Sequence, residues 1–143
     1  MNSQSAGRGL VLHWRERGGR TNCLCMDDWI KSGKVRGRIT DEGALEVRCF
    51  GLTTQAKYYK PLLREFFRKD FTRLRPGHGD YAVHIVMEYT GDPPWMDLDN
   101  LAKALLDSVS GNAFADDHQV ARLLVERRVG EREGIYMRVE AME

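Results

Sequence analysis

The chain has 143 residues, 42% of them hydrophobic and 30% charged, and a net charge of +1. That length fits one domain, and no apolar run approaches the roughly 20 residues of a membrane-spanning helix. The charge is unevenly divided: residues 1–60 hold 11 Lys+Arg and 6 Asp+Glu (+5), and residues 61–143 hold 11 and 15 (−4). A front half of this kind suits phosphates and a back half of this kind suits cations.

Residues 1–7 are small and polar, a candidate disordered tail ahead of a domain over 8–143. The opening MNSQSAGRGL lacks the apolar centre of a signal peptide, so the expected location is cytoplasmic. Leu10, Leu12 and Trp14 alternate with Val11 and His13, which predicts a strand. Residues 15–38 predict a loop rich in Gly, with Arg15, Arg17, Arg20, Lys31, Lys34, Arg36 and Arg38 outnumbering Glu16, Asp27 and Asp28. These seven cations are the candidate DNA-binding residues, and Trp29 among them either stacks on a base or anchors the loop to the core. Cys23, Cys25 and Cys49 are an odd number. The C-x-C spacing is too short for the usual zinc pattern, so they read as free thiols.

Val35 and Ile39, then Leu45, Val47 and Cys49, alternate around Asp41-Glu42-Gly43 and predict a hairpin. Residues 53–71 predict a helix with Tyr59, Leu62, Leu63, Phe66 and Phe67 on one stripe; Pro61 either kinks it or starts its main segment. Residues 72–80 are a linker and 81–90 a strand, with His84 on the strand's surface. A Pro-containing turn then leads to Asp97. Leu98, Leu101, Ala102, Leu105 and Val109 follow the helical period, Gly111 suits the position just past the helix end, and Phe114 plugs the following turn. Residues 120–129 and 135–141 read as two strands paired through the turn GEREG. The fold expected is α+β: a mixed β-sheet with two main helices packed on it.

The chemistry concentrates in Asp97–Asp117, DLDNLAKALLDSVSGNAFADD. Asp97 and Asp99 flank a helix start, Lys103 lies one turn on, and Asp116–Asp117 follow the helix. Carboxylates grouped closely repel one another, and a hard cation such as Mg²⁺ relieves that repulsion through oxygen ligands. The same residues also fit an N-cap, a first-turn acid, an i,i+4 Asp–Lys pair and turn formers.

The wording D-L-D-N-L-x-K-A-x-L-D, a Gly after the helix, and then D-D-x-Q-V resembles the RusA family of Holliday junction resolvases. The resemblance covers the last third of the chain and puts the family's carboxylates on Asp97, Asp99 and Asp117 and its essential lysine on Lys103. Asn100, Asp107, Gln119 and Val120 also match. It implies a RusA-like fold, Mg²⁺ (or Mn²⁺) held by Asp97, Asp99 and Asp117, and a homodimer cutting branched DNA; Asp116, beside Asp117, reads as an occasional ligand or a support behind the ligands. Asp107 reads as a helix-surface residue, and His118 stands beside the acids with a ring nitrogen where Mg²⁺ prefers oxygen. Ahead of these motifs the loop before the first long helix is longer than the family's and lacks its Asn-rich opening, so no DNA contact is carried over there. Two other classes compete: a DNA-binding phage accessory module without catalysis, and a metal-dependent nucleotide phosphohydrolase. The retained Asp97, Asp99, Lys103 and Asp117 argue against the first, and the basic front half argues against the second.

Overall fold

The computed structural model describes residues 29–53, 55–72 and 74–142. The expected tail at 1–7, the strand at 10–14, and Arg15, Arg17, Arg20, Cys23 and Cys25 lie outside the described residues. The strands are β1 (Ile30–Ser32), β2 (Val35–Ile39), β3 (Leu45–Phe50), β4 (Tyr81–Tyr89), β5 (Val120–Val129) and β6 (Gly134–Ala141). They form one six-stranded sheet in the order β1-β2-β3-β6-β4-β5, antiparallel throughout except for β4–β5. Two helices, α1 (Tyr59–Glu65) and α2 (Leu98–Val109), complete the α+β fold.

Side-chain alternation decides which face carries the core. Leu45, Val47 and Cys49 of β3, Val83, Ile85 and Met87 of β4, and Ile135, Met137 and Val139 of β6 are all buried in one cluster with Leu63, Leu101 and Leu105 of the helices. Burial pushes the Cys49 thiol up to about 12, which leaves it an inert core residue. On the opposite face Glu46 is buried despite its charge. It accepts hydrogen bonds from Arg38 Nε (2.7 Å), Tyr136 Oη (2.6 Å) and Arg138 Nη1 (3.2 Å), which is how a buried carboxylate is tolerated.

Three expectations change. The basic stretch at 30–38 is a hairpin, not a loop: β1 and β2 pair around Gly33, whose φ of +57° suits glycine, and Val35 and Gly37 are buried. Gly37 lets the Phe66 ring approach, since a Cβ there would lie 2.9 Å from Phe Cε2.

The helix at 53–71 is three pieces. A 3₁₀ turn at Ala56–Tyr58 leads into α1, and a π turn at Phe66–Asp70 ends it. Pro61 sits in the first turn of α1, where a missing N–H breaks nothing. The π turn stacks Phe66 on Phe71, with ring centroids 5.6 Å apart at 9°.

Finally, β5 and β6 are both strands but not neighbours, because β4 lies between them. The connection crosses the end of β4, where Gly130 N donates to Tyr89 O at 2.8 Å. A side chain at Gly130 would run into Glu88. Burial explains the order: β6 is buried along its inward face and belongs in the middle of the sheet, while β5 is largely exposed and sits at the edge. No helix among the described residues is long and apolar enough to cross a membrane.

Candidate active site

Helix α2 connects the parallel strands β4 and β5, and the candidate residues lie at its two ends. Its amphipathic pattern buries Leu101, Ala102, Leu105 and Val109, which turns Asp99, Asn100 and Lys103 to solvent.

Asp97 holds the N-cap backbone position (φ −73°, ψ 134°), and its carbonyl accepts from Leu101 N at 3.1 Å. Its carboxylate, however, makes no capping bond; its contact is a long one of 3.5 Å from Asn100 Nδ2. Asp99 Oδ1 accepts from Asn100 N at 3.0 Å. Lys103 is exposed and has no ion pair among the described residues, so the i,i+4 pair with Asp99 is not formed. At the start of α2, therefore, two carboxylates have Asn100 as their partner, and the lysine beside them has no ion pair among the described residues.

Asp116 and Asp117 lie past the other end. Gly111, at φ +86°, ends the helix, and Phe114 is fully buried against Tyr81 with ring centroids 5.4 Å apart. Phe114 is bridged to both Ser110 and Gly77, and Gln119 Nε2 donates to Gly77 O (3.1 Å) and Gly79 O (2.8 Å). The acidic turn is thus fixed at the beginning of β4, whereas Asp97 follows the end of β4.

The two acids of the turn differ. Asp116 caps a short 3₁₀ turn (Asp117–Gln119): its carboxylate accepts from the backbone N–H and the ring Nδ1 of His118, while Gln119 Oε1 accepts from Asp116 N. That ring hydrogen bond holds the Asp116 carboxyl below its ordinary range and raises the His118 imidazole above its own. Asp117 is exposed and leaves its carboxylate outside this network.

Helix α2 has 12 residues, about 18 Å of rise, so it separates the two sets of acids. Among the described residues no group of three or more His, Cys, Asp or Glu lies close enough to hold a metal ion. Asp97 and Asp99 supply hard oxygen donors suited to Mg²⁺. One chain brings two carboxylates together at that end, with Asp117 at the other.

Of the basic candidates, Lys31 and Lys34 are exposed on the β1–β2 hairpin. Arg36 lies over the Phe50 ring at 4.9 Å, and Arg38 is bound to Glu46 and lies over the Trp29 ring at 4.6 Å. Trp29 is half-buried beneath that arginine. This hairpin is the sheet edge opposite β5. Asp107 is tied to Lys60 at 3.6 Å, and His84 Nε2 pairs with Glu126 at 2.7 Å across β4–β5, both surface roles as expected.

What the spacing did not single out is a groove of about 610 Å³ between the start of α1 and the start of α2, with Lys57, Lys60 and Trp95 beside Asp97 and Lys103. Periodicity assigns Lys57 and Lys60 to a helix surface; the one available signal was a tryptophan two residues before Asp97.

No curated protein matches the chain. A family model described as endodeoxyribonuclease RusA matches residues 32–140, about three quarters of its length, taking in the sheet from the end of β1, both helices and all four candidate acids. The chain therefore belongs to the RusA family of endodeoxyribonucleases.

Proposed function

We propose that the protein is a Mg²⁺-dependent endodeoxyribonuclease, with Mn²⁺ able to substitute, that resolves four-way DNA junctions by paired symmetric nicks as a homodimer. Family membership supports the nuclease chemistry and the branched substrate. The observation that carries the rest is the division of the acids between the two ends of α2, beside an edge strand whose outer side has no neighbour among the described residues.

In this reading two copies join along β5. Leu123, Leu124 and Val129 are exposed on that strand, 44%, 51% and 65% respectively, an unusual load of apolar surface for a sheet edge. Antiparallel pairing of β5 with its copy about a two-fold axis sets the beginning of β5 in one copy beside the end of β4 in the other. Asp117 of each copy thereby approaches Asp97 and Asp99 of the other, and the carboxylate set is completed twice, once at each side of the axis. Such a dimer matches the two-fold symmetry of a four-way junction.

Asp97, Asp99 and Asp117 would hold the cation, with Asp116 kept nearby by His118 as an additional acid. When bound, the cation supplies an activated water and neutralises phosphate charge. Lys103 donates a hydrogen bond to a non-bridging oxygen of the scissile phosphate, where negative charge develops. Asn100 steadies the Asp97 carboxylate.

The test offers the purified protein a synthetic four-way junction and a linear duplex of matched sequence, with Mg²⁺, and sizes the products. Paired symmetric nicks in the junction alone are expected. Equal cutting of the duplex overturns the reading. Tight junction binding without nicks would make the chain an accessory DNA-binding module, and hydrolysis of free nucleotides with intact polymer would make it a phosphohydrolase.

A further inference from the structure

Trp95 is 92% exposed, the most exposed large hydrophobic side chain among the described residues, while its neighbour Met96 is buried. Leaving an indole in water forgoes the stabilisation its burial would bring, so its position calls for an explanation. It does not hang on a loose loop. Pro93 and Pro94 precede it, and Met96 N donates to Pro94 O at 3.0 Å, so the indole is presented from a restricted turn.

It stands at the mouth of the groove of about 610 Å³ between the two helix starts. That volume lies within the roughly 300–1,000 Å³ of small-molecule sites and has room for a nucleotide. The groove carries Lys57, Lys60 and Lys103 against Asp97 and Asp107. Asp107 is already matched to Lys60 at 3.6 Å, a half-buried pair still open enough to solvent for Lys60 to take another anion. Lys57 is exposed, with no ion pair among the described residues.

We infer that this groove receives one unpaired nucleotide of the strand being cut, its base stacked on the Trp95 indole and its flanking phosphates against Lys57 and Lys60. The inference rests on the nuclease reading and sharpens it into a source of selectivity. In continuous duplex both faces of a base are covered by its neighbours, so the indole gains a stacking partner only where the stack is interrupted, as at a branch point, where a base also unpairs at lower cost. The groove adjoins Asp97 and Lys103, so an accepted nucleotide is delivered next to the cutting position.

The test measures binding without metal, in EDTA, by the full chain. The probes are a four-way junction carrying 2-aminopurine at the crossover and the same base within a continuous duplex. A fluorescence change on binding is expected at the crossover and not in the duplex. Trp95→Ala is expected to weaken junction binding by about 5- to 100-fold while duplex affinity stays within about twofold, and Trp95→Phe to retain most of the wild-type affinity. Replacing both Lys57 and Lys60 by Gln is expected to lower the slope of log affinity against log salt by about 1.4, as for two lost single-strand phosphate contacts. Equal weakening on both DNAs overturns the inference. So does a Trp95→Ala protein with wild-type DNA affinity but an altered monomer–dimer balance, which would assign the indole to a protein interface. Because binding is read without cutting, the two readings fail separately. Trp95-dependent junction binding without nicking sinks the nuclease, and junction nicking with undiminished affinity in Trp95→Ala sinks the groove.

Discussion

If the third carboxylate comes from a second copy, two inactive variants restore each other. Take Asp97→Asn and Asp117→Asn, each expected to have lost most cleavage as a homodimer. In a heterodimer, one composite site receives both substitutions and the other receives neither. Free exchange of equal amounts gives about half heterodimers, hence about a quarter of the wild-type number of intact sites. The products should be single nicks, since only one site per dimer works. The geometry makes the alternative outcome equally sharp. An α2 of 12 residues, about 18 Å, spans far more than a carboxylate can reach around a Mg²⁺ with bonds of about 2.0–2.1 Å. Mixing Asp97→Asn with Asp99→Asn is the control, because both fall in the same half of the site and no combination is intact. The assay is nicking of a labelled junction after subunit exchange, with heterodimer confirmed by native mass spectrometry. Verified heterodimers that cut no better than the parents would refute the composite site.

Leu124→Arg places a charge on the exposed edge and should give a folded monomer in sedimentation with little cleavage; a fully active dimer would relocate the interface. Lys103→Ala should lower turnover far more than junction affinity, and a loss confined to affinity would make it a docking residue. Tyr81 is fully buried and its hydroxyl has no hydrogen-bond partner among the described residues, so Tyr81→Phe should raise stability by about 1 kcal/mol in denaturant melts.

Glu46 sets an acid limit on stability. Burial alone would raise its pKa, but hydrogen bonds from Tyr136 and Arg38 and the charges of Arg38 and Arg138 bring it below its ordinary 4.5. Its contribution is therefore complete above about pH 4.5 and lost as pH falls through the depressed folded value. Glu46→Gln should cost about 2–3 kcal/mol near neutral pH and flatten that acid slope, as read by melts at several pH values.

Strands β4 and β6 and helix α2 were legible because each buries one face, and burial writes a period of 2 or 3.6 into the residues. Neighbour relations write no such mark. The GEREG turn reads as a hairpin connection because nothing in those five residues records that β4 occupies the intervening place. The same limit holds at the site. Spacing left Asp97, Asp99, Lys103 and the Asp116–Asp117 pair open between a site and ordinary helix and turn roles, the family resemblance singled out Asp97, Asp99, Lys103 and Asp117, and the structure adds which carboxylates are engaged: that of Asp116 in a cap, that of Asp97 in none. Lys57 and Lys60 were invisible as groove residues because their relation to Trp95 depends on how α1 lies against α2, a contact between segments some 40 residues apart.

The place of β6 bears on when the protein becomes a nuclease. It is synthesised after the other five strands, yet it lies between β3 and β4, pairing Glu46 with residue Arg138, 92 positions later. Until it emerges from the ribosome, the strand that joins β1–β3 to β4–β5 in the folded sheet is missing. Contacts so distant in sequence make closure slow compared with helix formation. If Asp97, Asp99 and Asp117 are the cutting residues as proposed, a nascent chain that already displays them would still lack the frame that fixes their positions, and cutting would wait until the β6 segment has been made and inserted.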